Sequence, residues 1–115
     1  MTKMRVFRTI KIDPEKRTIE NFQIENDRKV FDNLSKLVGG SPEFIPFHIG
    51  KKRVFVFMTR SEHYLELSTF NFSNLKLRGV SFLLNPERTK GGNIKSLSFD
   101  TKVKDIKQLV AWEDK

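Results

Sequence analysis

The chain contains no cysteine. That single absence excludes disulfides, thiolate metal sites and cysteine nucleophiles, and it fits a reducing compartment such as the cytoplasm. Long apolar runs are missing too. No stretch approaches the ~20 residues needed to cross a bilayer, so no membrane partner is expected. Met1-Thr2-Lys3-Met4-Arg5 leads straight into a strand pattern without the apolar segment of a signal peptide, and none is expected. Histidine is scarce, with only His48 and His63. There is no Gly-x-Ser-x-Gly elbow and no Walker-type phosphate loop. Ser61 and His63 share one side of an extended chain but lie beyond contact, so they do not make a nucleophile and base. The two histidines, with Glu62 nearby, do not form a recognised ligand spacing either. No catalytic residue, metal site or cofactor is expected, and the chain is read as non-enzymatic.

What is present is phenylalanine and positive charge. Eleven Phe residues among 115 point to a packed aromatic core, and the length suits one domain. Lys and Arg total 22 against 14 Asp and Glu, a formal charge of +8. Such an excess favours an anionic partner.

The strongest pattern is Arg53-Val54-Phe55-Val56-Phe57-Met58. Val54, Val56 and Met58 fall on one face of an extended chain and Phe55 and Phe57 on the other. Both faces are apolar, which predicts a central strand covered on two sides. Before it, residues 4–24 read as a hairpin turning at Asp13-Pro14-Glu15-Lys16-Arg17. Its first strand has Met4, Val6, Ile10 and Ile12 on one face, interrupted by Arg8. The other face, Lys3, Arg5, Phe7, Thr9 and Lys11, reads as basic and outward. Val30, Phe31, Leu34, Leu37 and Val38 form a helical stripe, capped by Asp27 or Asn26 and stopped by Gly39-Gly40. Phe44 to Ile49 is a strand in which Pro46 suggests an edge position or a bulge. Extended segments follow at 64–72, 75–84 and 94–99, the second broken by Gly79, where a bulge or a close backbone approach is expected. Asp100 or Thr101 caps a final helix carrying Val103, Ile106, Leu109 and Val110, with Trp112 anchoring its end. The fold class is α+β: a mainly antiparallel twisted sheet of about six strands with two helices, the second on the same face as the first or at an end.

Anion binding is the chemistry these residues support. Lys76 and Arg78 share one face of the 75–84 segment, and Arg88, Lys90 and Lys95 come from the loop and strand after it. Pairing through the 85–93 loop would bring them to one end of the sheet. Gly91 and Gly92 would expose backbone N–H groups to phosphate oxygens, and arginine would offer a bidentate fork. A secondary basic face is Lys3, Arg5, Phe7 and Lys11, where a ring among cations would suit single-stranded nucleic acid. The competing expectation is that a second layer, such as the C-terminal helix, buries Phe7.

Three groups of landmarks carry a resemblance: Ile10-Lys11-Ile12-Asp13-Pro14 with Thr18-Ile19-Glu20; Leu34 to Gly40 followed by Glu43-Phe44-Ile45-Pro46-Phe47; and Leu77-Arg78-Gly79-Val80 with the Gly91-Gly92 loop and Val110-Ala111-Trp112. Together they resemble a family of small uncharacterised proteins of phages, plasmids and bacteria, a domain of unknown function. The resemblance implies an α+β fold and a mobile-element setting, and no activity. Where such proteins often carry a short acidic segment, this chain reads Met58-Thr59-Arg60-Ser61-Glu62-His63, so no acidic site is carried over. The expected function is that of a phage or mobile-element accessory protein. It would act in the host cytoplasm, bind nucleic acid or a phosphate-bearing nucleotide, and modulate host defence or nucleic-acid metabolism. The alternative is an inhibitor that docks on a host protein through a sheet edge or an aromatic patch of Tyr64, Phe70 and Phe72. A homodimer through the same edge is compatible with either.

Overall fold

The computed structural model describes residues 6–25, 29–60, 66–87, 95–97 and 100–113. Its fold is α+β, with eight strands in two antiparallel sheets and two helices among these residues. The expected capping residues Asn26 and Asp27, the Ser61–His63 pair, Tyr64, and the ends of the 94–99 segment lie outside them.

Strands β1 (Val6–Asp13) and β2 (Thr18–Glu25) form the predicted hairpin, in register from Val6 opposite Glu25 to Asp13 opposite Thr18. Asp13 closes its turn, accepting from the backbone N–H of Glu15 and Lys16 at 3.1 and 3.2 Å. Helix α1 (Val30–Val38) follows the predicted stripe. Val30, Leu34 and Val38 are buried, while Phe31 and Leu37 stay 39% and 45% exposed. Gly39 stops the helix at φ 101°, and the N–H groups of Gly39 and Gly40 return to the carbonyls of Lys36 and Ser35. Strands β3 (Pro42–Ile49) and β4 (Lys52–Thr59) make a second hairpin.

The large sheet runs β2-β1-β7-β4-β3, with β7 spanning Ser81–Leu84. The strand at Arg53–Met58 is interior and apolar on both faces, as predicted, although β7 takes the middle place. Phe55 and Phe57 face the helix α1, where Phe7, Phe82 and Leu84 join them. Val54, Val56 and Met58 face a second sheet of order β6-β5-β8, made from Leu75–Arg78, Thr69–Phe72 and Val110–Trp112. Pro46 sits on the edge strand β3, where a missing N–H costs no ladder bond to a further strand.

Four expectations are corrected. First, residues 75–84 are not one broken strand. The chain turns at Gly79 (φ 77°) and passes from the small sheet into the large one. A Cβ at Gly79 would stand 2.8 Å from Leu67 Cδ1, so the crowding is by a side chain rather than by another backbone. Gly79→Ala adds left-handed strain to that contact, and is expected to lower stability by about 1–2 kcal/mol in urea unfolding. Second, the face of β1 read as basic and outward is closed to solvent at Phe7 and Thr9. Phe7 and Thr9 are buried against the α1 side and Arg8, Ile10 and Ile12 against the other. Third, the final helix α2 is short, Val103–Lys107, with Lys102 rather than Asp100 or Thr101 at its N-cap position. Val110 to Trp112 pair with β5 instead of extending it. Fourth, α2 packs opposite α1, on the side of the small sheet, with Ile106 in the same cluster as Ile10 and Phe70.

Arg8 shows how that side is closed. Its Nη2 donates to Asn21 Oδ1 at 2.9 Å and to the carbonyl of Thr101 at 2.8 Å, and Nη1 reaches the carbonyl of Leu97 at 3.4 Å. Its backbone N–H donates to Ser96 Oγ, and its carbonyl accepts from the N–H of Leu97. Ser96, Leu97 and Thr101 are thereby held beside β1.

Candidate functional site

The predicted cluster of cations divides into two places, because β7 separates its parts. Lys76 and Arg78 lie on β6, before the turn at Gly79, and Lys95 lies after the far end of β7. Arg88, Lys90, Gly91 and Gly92 lie outside the described residues, as do Lys3 and Arg5.

The first place centres on Glu113. Lys76 Nζ lies 3.2 Å from Glu113 Oε1, Thr69 Oγ1 donates to Oε2, and Arg17 Nη2 donates to the Glu113 carbonyl at 3.2 Å. The Thr69 hydroxyl, then Lys76 and Arg78, hold the Glu113 carboxyl below its ordinary pKa despite some loss of solvent. This carboxylate already engages the Lys76 ammonium as an incoming anion would.

The second place is a cleft of about 730 Å³ where β4 begins and β7 ends. Lys51, Lys52, Arg53 and Lys95 line it, with Glu87 and Asp100 as its acids. The Gly50-Lys51 turn positions the first three cations at the tip of the β3–β4 hairpin. Lys95 is carried by the segment that Arg8 ties down. Asn85 Nδ2 braces that segment through the carbonyl of Ser96 at 3.1 Å. Lys52 Nζ lies 3.1 Å from Asp100 Oδ2, and Lys95 Nζ 3.2 Å from Glu87 Oε2. Both pairs are solvent-exposed, and such pairs are worth about 0–1 kcal/mol. Lys51 and Arg53 make no salt bridge among the described residues.

Two other expectations concern aromatic rings. Phe7 is fully buried in the cluster under α1, not under the C-terminal helix, so it offers no ring to a base. Lys11 instead lies over the Phe22 ring, 5.5 Å from its centroid. Phe70 and Phe72 are fully buried between the sheets and cannot form a docking patch. Among the described residues no three His, Asp or Glu side chains gather as a metal site, and no helix is long and apolar enough to cross a membrane.

Lys51 and Lys52 carry no site in the sequence because they read as a turn, and Arg53 because it reads as the first residue of the apolar strand. Three successive cations at a hairpin tip were the available signal. The fold and cleft define an α+β protein layered as helix, large sheet and small sheet, with a basic opening at one end. No protein-family model, curated protein or solved structure matches the chain.

Proposed function

We propose that this protein is a non-enzymatic binding protein, and that the Lys51–Arg53 cleft takes an anionic partner through its phosphate groups. The observation that carries this reading is the cleft itself: four cations against two exposed acids, in a space of about 730 Å³. The overall charge of +8 supports it by steering anions toward the surface. Nucleic acid or a phosphate-bearing nucleotide has the required chemistry, and a role in host defence or nucleic-acid metabolism of a phage or mobile element is the biological setting proposed for it.

Charge reversal tests the site. Lys51→Glu with Arg53→Glu is expected to weaken binding of an oligonucleotide about tenfold or more and to flatten its salt dependence by about two phosphate contacts. Lys76→Glu with Arg78→Glu, which acts around Glu113, is expected to leave affinity close to that of the parent. The reverse ranking in fluorescence anisotropy would move the site to β6.

A further inference from the structure

We infer that the partner of the cleft is a single-stranded nucleic acid, and that its bases leave the cleft past Arg53 and stack on an open aromatic surface formed by Phe31, Phe44 and Phe55. This rests on the anion-binding reading above and specifies its ligand.

Strand alternation sorts the side chains of β4 between its two faces. Arg53, Phe55 and Phe57 succeed one another on the α1 face of β4, and their partners on β3 are His48, Pro46 and Phe44. The face therefore has three rows. The first, His48 and Arg53, is polar and exposed, and Arg53 also lines the cleft. The second pairs exposed Pro46 with half-buried Phe55. The third is Phe44 opposite Phe57, with Phe31 of α1 over both. Rows two residues apart are separated by roughly 6.6 Å, so the stripe extends roughly 13 Å from the cation to the far rings.

Helix α1 is nine residues long, and Phe44 and Phe55 on this side are half-buried rather than fully covered. Phe31 is 39% exposed, unusual for a ring at the start of the core-facing stripe. Its ring lies near parallel to that of Phe44, with centroids 6.0 Å apart and 24° between planes. Phe44 meets Phe55 edge-on at 5.8 Å. Each ring is thus held by another, and little rotamer freedom remains to be lost when a base stacks on the open side.

The combination selects the ligand. Cations alone would take any polyanion, and rings alone any apolar surface. Cations that lead directly onto rings fit a chain whose phosphates and exposed base faces alternate. A duplex hides its base faces, and a free polyphosphate has none.

The test uses the intact chain and three probes: labelled oligothymidylate, its duplex with oligodeoxyadenylate, and inorganic tripolyphosphate. The single strand should bind at least about tenfold more tightly than the duplex. Phe31→Ala and Phe44→Leu should each weaken it about tenfold, the scale of one lost base–aromatic stack. Neither should alter tripolyphosphate affinity, which also reports that the variants are folded. Photocrosslinking with an iododeoxyuridine-substituted strand gives a readout independent of substitution, and should label peptides containing Phe31, Phe44 or Phe55. Equal affinity for strand and duplex, or labelling confined to the cleft, would overturn the aromatic surface while leaving the anion site standing. Failure of the parent protein to bind any of the three would remove both.

Discussion

Phe82→Ala is expected to lower the folding stability by about 3–5 kcal/mol. Phe82 lies on β7, the middle strand of the large sheet, and is fully buried. It joins Phe7, Leu34, Phe57 and Leu84 in the cluster between sheet and α1, and its ring lies 5.4 Å from that of Phe22. Strands flank it on both sides through β1 and β4, so the backbone cannot collapse into the space left. Both terms of a cavity substitution then apply: the lost transfer free energy and the unfilled volume. Domains have only about 5–15 kcal/mol in total, so the variant should approach marginal stability. Equilibrium urea unfolding reads the effect, with Phe82→Leu falling between parent and alanine. A loss below about 1 kcal/mol would mean that this interior is not packed as described.

Arg8→Met is expected to cost about 2–4 kcal/mol, and its mechanism is different. The aliphatic part of the side chain is replaced, so packing is largely kept. What disappears is the donor set reaching Asn21 Oδ1 and the carbonyls of Thr101 and Leu97. Replacing both partners of a buried polar contact can be neutral, but peptide carbonyls cannot be replaced, and they are left without a donor. The damage should be local first. The N–H of Leu97, which donates to the Arg8 carbonyl, should lose hydrogen-exchange protection before the sheet does. Arg8→Lys should recover only part of the loss, because one ammonium cannot reproduce the planar fork. Since the segment fixed by Arg8 carries Lys95, Ser96 and Thr101 of the cleft, anion affinity should fall along with stability. Stability within about 0.5 kcal/mol of the parent would show that the clamp contributes nothing.

These two residues also mark how far local pattern reaches. Phe82 reads as core from its apolar neighbours alone. Arg8 reads as an interruption, and the apolar face on either side of it was the sign that a charge had been admitted to the interior. Which carbonyls would receive it was invisible, because they come from residues 89 and 93 positions further along the chain. The basic cleft is similar. Its cations stand together in sequence at Lys51–Arg53, but the opposing wall is supplied by the segment near Lys95.

The sequence by itself determined the elements whose cause is local. The β1–β2 hairpin, the helix Val30–Val38 and the two-faced strand around Arg53–Met58 follow from side-chain period and turn chemistry, which act over a few residues. Only the tertiary structure decided that Leu75–Leu84 divides at Gly79 between two sheets, that the two helices lie on opposite sides, and that Lys76 and Arg78 part from Lys95. The physical reason is that an apolar face records only that something covers it. A helix, a sheet or a distant segment can each do so, and the choice among them depends on the packing of the whole chain.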